Sequence, residues 1–226
     1  MDSGNIGFVL LCAAFVFVMT PGLAMFYGGL VRKKNVVNTM MTSIFIIGVG
    51  IVMWVLFGYS LSFAPSGNAF IGDFRWLGLE GVSLTEGYTD DASIPNMVFS
   101  AFQMMFAVIT PALITGAVAG RMKFKSIFVF TIFWSLIVYY PLAHMVWGQG
   151  GLLGADGIGA LDFAGGDVVH ISSGVSALVL CILLGKRHDY EHSIYRIHNI
   201  PTVVLGASLL MFGWFGFNAG SALAAD

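Results

Sequence analysis

The sequence predicts an all-α protein, a polytopic bundle of transmembrane helices, and three observations carry this prediction. Of its 226 residues, 58% are hydrophobic and only 10% are charged, whereas soluble domains have roughly 25% charged residues. Long stretches contain no Asp, Glu, Lys or Arg. These stretches also lack the strict alternation of membrane strands, and helices are then the structure that satisfies the backbone inside lipid.

Six of these stretches can each supply the roughly 20 apolar residues that cross about 30 Å of hydrocarbon. The predicted spans are residues 6–30, 40–63, 95–119, 126–147, 168–185 and 200–222. The connection 64–94 is the longest, and its Pro, Gly and Ser content is typical of an exposed loop.

The basic residues predict the orientation of the chain. Every Lys and Arg except Arg75 lies in the gaps that follow the first, third and fifth spans. Basic loops stay on the inner side of a membrane, so the N-terminus is predicted to lie outside. The net charge of −2 offers no basic surface for nucleic acid, and we expect no nucleic-acid partner.

His170 is the ionisable residue inside the fifth predicted span, and such residues are costly in lipid and often functional. Asp167 precedes it and is predicted to cap the start of that helix. A purely structural hydrogen-bonding role for His170 stays open, as it does for His144 in the fourth span. Helical spacing predicts that His170 shares a narrow face with Ser173, Gly174 and Ala177.

The remaining histidines are predicted to be solvated beside the basic inner gap; they are His188, His192 and His198. No histidine pair has metal-ligand spacing with carboxylates or thiols, so we predict no metal and no cofactor. An intramembrane enzyme would need a nucleophile and base at one depth. The sequence offers no such pair, and we predict no catalytic residues.

Aromatic residues mark a second candidate site. Phe102 and Phe106 are four residues apart on the third span, and Trp147 ends the fourth. An interfacial tryptophan is commonly a membrane anchor. The alternative is an aromatic cage that holds a small cation through cation–π attraction.

Four stretches together resemble the ammonium transporter (Amt/Mep/Rh) family, and within it the Amt branch. They occur in family order along the whole chain, and they read PGLAMFYGG at 21–29, AHMVWG at 143–148, DFAGGDVVHISSG at 162–174 and GWFGFNAGS at 213–221. The resemblance implies a transporter for ammonium or ammonia in the plasma membrane, assembled as a homotrimer with one pore in each subunit.

The resemblance also assigns roles to residues. Phe106 and Trp147 correspond to the walls of an outer ammonium recruitment site, with Phe102 beside them and Ser221 as its hydroxyl acceptor. Asp162 corresponds to an acidic residue that orders the outer vestibule.

Below this site, Phe106 and Phe217 correspond to a stacked phenylalanine gate. His170 corresponds to the first of two histidines that line a hydrophobic pore, which passes ammonia with or without a proton.

Members of the family have eleven spans built as two inverted repeats. By that pattern, residues 1–226 hold the first five-helix repeat, about 6–185, and the first helix of the second, about 200–222. We therefore expect an N-terminal portion of a longer protein. A half-length transporter that dimerises is the alternative. The second pore histidine and the tail that contacts a PII-type regulator would lie beyond these residues.

Two other functions remain open from the residues alone. The chain could belong to a membrane sensor that binds ammonium and signals, or to a channel or carrier for another small cation or neutral solute. A second repeat with a histidine at the symmetry position of His170 would favour the transporter.

Overall fold

In the computed structural model, the described residues are 1–155, 157–187, 190–191 and 194–226. Within them the chain is helical, with no strand, and six helices are long and apolar enough to cross a membrane. Their bounds are Ser3–Leu30, Lys33–Phe63, Asn96–Val118, Phe124–Trp147, Gly166–Leu184 and Ile200–Gly220. The predicted all-helical fold with six spans is confirmed.

The second span differs most from its predicted bounds, because it begins at Lys33 instead of residue 40. Its first turn, Lys33–Asn35, is a 3₁₀ helix that contains two lysines. Long lysine side chains can extend their charge into water while the backbone stays helical, so charge at a helix end does not mark where the helix begins.

Three spans contain a π-helical turn, at Trp54–Gly58, Ser135–Tyr139 and Gly166–Ile171. The first turn packs against the residue that follows the second: a Cβ on Gly58 would lie 2.6 Å from the ring of Tyr140. Each π turn inserts a residue into the helical repeat and shifts the faces that follow it. The third π turn contains His170.

The sixth span packs closely along the first through glycines. A side chain at Gly206 would collide with the backbone of Phe26, and one at Gly213 would collide with Met19. A Cβ on Gly216 would lie 2.6 Å from the carbonyl oxygen of Cys12. Small residues let helix backbones approach in lipid, where close packing replaces the hydrophobic effect as the attraction.

The ends of the bundle differ in chemistry. At the end opposite the N-terminus, Arg121 donates to the Gly185 carbonyl at 2.9 Å, and Arg187 donates to the Ala119 carbonyl at 3.3 Å. These bonds join the third and fifth spans. The Arg187 guanidinium also lies 4.6 Å from the ring centroid of Tyr195. His198 is exposed at this end, whereas His188 and His192 lie outside the described residues.

The long connection 64–94 covers the end of the bundle that carries the N-terminus, here called the N-terminal end. Trp76 stacks on Tyr59 with centroids 5.4 Å apart, and Tyr88 stacks on Phe99 with centroids 4.8 Å apart. Aromatic pairs of this kind stabilise a loop beyond the area they bury. The connection is therefore anchored to the second and third spans.

Candidate substrate site and path

An open cavity of about 610 Å³ lies at the N-terminal end of the bundle. Four predicted site residues line it together: Phe106, Trp147, Asp162 and Ser221. Each comes from a different segment, since Phe106 lies within the third span, Trp147 ends the fourth and Ser221 follows the sixth. The fold thus brings to one cavity residues that are far apart in the sequence.

Phe102, the other residue predicted for this site, does not line the cavity. It is fully buried, and its ring packs edge-on against Phe106 with centroids 5.0 Å apart. The sixth span closes its other side, because a Cβ on Gly220 would lie 2.6 Å from the Phe102 ring. Phe102 therefore supports Phe106 from behind.

Two contacts fix the Trp147 ring in the cavity wall. It meets Phe106 edge to face at 6.1 Å and 87°, and its Nε1–H donates to the backbone carbonyl of Asp162 at 2.9 Å. That bond satisfies the indole N–H. A ligand in the cavity therefore meets the aromatic carbon surface of Trp147, which attracts cations.

Asp162 caps the fifth span through its carboxylate. Its Oδ1 accepts from the backbone N–H of Gly165 at 2.5 Å and Gly166 at 2.8 Å, and its Oδ2 accepts from Asp167 at 2.8 Å and Val168 at 2.9 Å. These are the orphan donors of a helix start. The prediction that Asp167 is the cap is wrong, because the left-handed turn at Gly165 (φ 100°) folds the chain back beneath Asp162.

Ser221 lies immediately after the last turn of the sixth span. Its hydroxyl donates to the carbonyl of Phe217 at 2.8 Å. A hydroxyl has one proton and two lone pairs, so this bond uses the proton and leaves the oxygen free to accept. Ser221 is thereby arranged as an acceptor for a donor in the cavity.

The loop residue Tyr88 borders the cavity mouth and is joined to Gln149. The Gln149 backbone N–H donates to the Tyr88 hydroxyl at 3.1 Å, and its amide Nε2 donates to the Tyr88 carbonyl at 2.9 Å. Burial raises the pKa of Tyr88 to about 12. The phenol therefore stays neutral at physiological pH, and it adds no charge to the mouth.

Phe106 and Phe217 separate this cavity from a second one. Their ring centroids are 4.4 Å apart at 40°, and each residue is 1% exposed. Phe106 lines the first cavity, while Phe217 lines a second cavity of about 210 Å³. The ring pair therefore lies where the linings of the two cavities meet.

The second cavity contains His170 in otherwise largely apolar surroundings. The imidazole stacks on Trp214 with centroids 5.7 Å apart and on Phe217 with centroids 5.9 Å apart. Within the described part of the chain its ring nitrogens make no hydrogen bond, and the residue is exposed on an open face of the bundle. Both nitrogens are free to interact with a solute.

The residues around His170 differ from those that helical spacing predicts. Neither Ser173 nor Gly174 nor Ala177 lines its cavity, whose wall comes from Val169 and from the first, third and sixth spans. The Ser173 hydroxyl donates to the Val169 carbonyl at 2.5 Å. The predicted shared face is wrong because the π turn at Gly166–Ile171 shifts the register between His170 and the residues after it.

His144 has a structural position. It is 0% exposed, and its ring nitrogens lie 3.1 Å from the Ser62 carbonyl oxygen and 2.8 Å from that of Asn68. It holds the end of the second span and the following loop against the fourth span. This is the purely structural hydrogen-bonding role that the sequence left open for His144.

The residue pattern missed several members of these cavities, and two of them lie beside predicted site residues. Trp214 stacks on His170, although the sequence showed it only as part of a motif. Gln103 lines the first cavity one turn before Phe106. A polar amide within an apolar span was the available signal for Gln103. Among the described residues, no group of three His, Cys, Asp or Glu side chains is placed to hold a metal ion.

This arrangement defines a class: a multi-pass membrane protein with two cavities, an aromatic pair where their linings meet and an imidazole in the second cavity. The chain belongs to the ammonium transporter family, because the family model described as Ammonium Transporter Family matches residues 7–226.

Individual relatives agree with this membership. The chain is 53% identical over 226 residues to an ammonium transporter of Bacillus subtilis and 42% identical over 226 residues to the ammonium transporter Amt1 of Archaeoglobus fulgidus. Each alignment covers 100% of this chain and 54% of the relative. The chain thus spans about half the length of the curated relatives it matches.

Solved structures share the fold. The crystal structure of Candida albicans Mep2 matches with a TM-score of 0.87 and 34% identity, over 100% of this chain and 50% of that chain. A sensor Amt protein matches with a TM-score of 0.84 and 31% identity, over 99% of this chain and 56% of that chain.

Proposed function

We propose that the full-length protein carries ammonium or ammonia across the plasma membrane, with its N-terminus outside. The observation that carries this proposal is the order of the two cavities. The first has aromatic walls and a free hydroxyl oxygen, the second is nearly apolar and holds His170, and the Phe106–Phe217 pair lies between them.

The chemistry of ammonium fits this order. Ammonium and potassium have similar sizes, so a pore cannot separate them by diameter. Ammonium differs because it donates directed hydrogen bonds and can lose a proton. The aromatic surfaces of Phe106 and Trp147 would attract the cation, and Ser221 would accept one of its N–H groups. The apolar second cavity then penalises a charge heavily.

We further propose that His170 accepts a hydrogen bond or a proton from the solute beyond the gate. Neutral imidazole offers one acceptor nitrogen, and its charge can change near neutral pH. The proposal covers ammonia with or without a proton as the net species, and it assigns no enzymatic reaction to the protein.

The proposal extends to assembly and architecture. We propose an eleven-span inverted-repeat transporter, a homotrimer in which each subunit has a pore, and regulation by a PII-type protein at a C-terminal tail. Within it, residues about 6–185 would form the first repeat, and about 200–222 the first helix of the second. An inverted repeat places the substrate path between its halves, which agrees with the open face beside His170.

Substitution of Trp147 tests the first cavity. In the full-length protein, Trp147→Leu should raise the KM for methylammonium uptake about thirtyfold, since a desolvated cation–π contact is worth about 2 kcal/mol. Trp76→Leu is the matched control, because Trp76 lies at the same end but does not line the cavity. Unchanged kinetics for Trp147→Leu in radiolabelled uptake would remove the cage from the mechanism.

A membrane ammonium sensor is the second candidate function, and the structural similarity to a sensor Amt protein supports it. A sensor would bind ammonium in the same first cavity but pass little of it. Flux measured in liposomes that contain the purified full-length protein separates the two functions, because only the transporter raises ammonium entry above that of empty liposomes.

A further inference from the structure

A glutamine lies in the aromatic wall of the first cavity. Phe99, Gln103 and Phe106 all line this cavity from the third span. Their spacing of four and then three residues places them on one helical face. Gln103 is therefore the polar member of an otherwise aromatic stripe, immediately beside the ring that forms the gate with Phe217.

The amide of Gln103 is not used by the fold. Its Oε1 is buried and has no hydrogen-bond partner, and among the described residues its Nε2 makes no hydrogen bond either. Buried polar atoms without a partner are uncommon in folded proteins. Gln149 lines the same cavity and shows the contrast, since its Nε2 donates to the Tyr88 carbonyl at 2.9 Å.

We propose that Gln103 is a second hydrogen-bond acceptor for ammonium in the first cavity and a determinant of its selectivity. This inference rests on the proposed function. The oxygen is the buried end of the amide, and no group among the described residues bonds it there. A half-turn about the last side-chain bond exchanges the oxygen and the nitrogen and brings the oxygen to the cavity. A cation in the cavity selects the orientation that presents Oε1.

Two hydrogen-bond acceptors explain a preference for ammonium over potassium that a single acceptor would leave weak. Aromatic surfaces attract any small cation, and they do not distinguish an ion that donates hydrogen bonds from one that does not. Ser221 can accept one N–H of ammonium because its own proton is used on Phe217. Gln103 accepts another N–H, so the pair matches the directed donors of ammonium. Potassium has no donor to offer.

The experiment uses the full-length protein in liposomes and measures the initial rate of ammonium entry against concentration, with and without potassium. Gln103→Met keeps the length of the side chain and removes the amide. It should raise KM for ammonium about tenfold, the effect of losing one charge-assisted hydrogen bond. It should also make potassium a stronger inhibitor relative to wild type.

Two further variants separate the acceptor from packing. Gln103→Glu keeps oxygen acceptors in place and should hold KM at or below the wild-type value. Met104→Leu is the control, because Met104 is the next residue on the same span and lines neither cavity, and it should leave KM and potassium inhibition unchanged. If Gln103→Met does not fold, Gln103→Asn should raise KM by withdrawing the oxygen by one carbon.

Several outcomes overturn the proposal. Wild-type KM and potassium inhibition in folded Gln103→Met would do so, as would an equal loss in Gln103→Glu, which would leave only a packing role. If Trp147→Leu raises KM in the same assay while Gln103→Met does not, the role of Gln103 fails and the cavity's function stands. If the wild-type protein admits no ammonium, both proposals fail together.

Discussion

His170 and His144 show how one residue type takes two roles in the same membrane. Both rings lie within spans, yet His144 has a backbone carbonyl oxygen at each ring nitrogen, whereas His170 stacks against Trp214 and Phe217. A buried ring that donates its N–H to a backbone carbonyl holds the fold together. A ring with free nitrogens in an apolar cavity is available to a solute, at the cost of lower stability.

This contrast predicts opposite effects of the same substitution. In the full-length protein, His170→Ala should assemble normally and lose or alter ammonium conduction, because the solute loses the imidazole acceptor in the second cavity. His144→Ala should lower the stability instead, by about 1–3 kcal/mol, because it removes the N–H that the ring donates to the Ser62 or Asn68 carbonyl. Liposome flux and thermal unfolding in detergent measure the two effects. Wild-type flux and selectivity in His170→Ala would leave it a structural role only.

At the scale of elements, the start of the fifth span depends on a carboxylate that precedes it. Asp162 satisfies four backbone N–H groups and its own carbonyl accepts from Trp147. The same residue therefore joins the helix that carries His170 to the wall of the first cavity. A substitution of Asp162 would therefore alter both the helix that carries His170 and the wall of the first cavity.

We predict that Asp162→Ala destabilises the protein by about 1–2 kcal/mol, the range for loss of a helix cap, and also raises KM. Asp167→Ala is the matched control. The backbone N–H of Asp167 donates to Asp162, but its carboxylate accepts no backbone hydrogen bond among the described residues. Thermal unfolding and uptake should separate the two. Equal destabilisation by both substitutions would contradict the assignment of the cap to Asp162.

The glycine contact between the first and sixth spans predicts a second effect at this scale. Gly206→Val should destabilise the bundle by at least about 1–3 kcal/mol, because the new side chain has no room against the first span. Gly48→Val is a suitable control, since a Cβ there meets nothing within 4 Å. Thermal unfolding of the purified variants tests this. Equal melting temperatures for the two variants would show that the spans are not closely packed.

At the scale of the whole molecule, the described residues leave an open face on which His170 is exposed together with apolar residues of the fifth and sixth spans. Val175, Leu178 and Ile182 of the fifth span are 55%, 61% and 70% exposed, and Met211 of the sixth is 66% exposed. Lipid can cover such apolar side chains. Lipid solvates an imidazole poorly, so it is costly in free energy to place His170 in hydrocarbon without a partner.

We therefore predict that residues 1–226 produced alone insert in a membrane but do not conduct. The basic residues that direct orientation are present, yet the second cavity has no wall on its open side, and an inverted-repeat path needs both halves. Purified residues 1–226 in vesicles should show no more ammonium uptake than empty vesicles. Uptake above that level would favour a half-length transporter that dimerises.

The sequence by itself determined the membrane class, the six helices and the basic end of the bundle. It could do so because the bilayer imposes a length, an apolar composition and a charge asymmetry on each span, and these are properties of local sequence. The family motifs likewise indicated Phe106, Trp147, Ser221 and Asp162, which the fold brings to one cavity.

The tertiary structure alone decided which groups face one another. It placed Phe102 behind Phe106, gave the helix cap to Asp162 instead of Asp167, and set Trp214 against His170. Spacing rules assume a regular helix, and π turns change the register by a residue. Contacts between spans depend on how closely backbones approach, which glycines control from positions far away in the sequence.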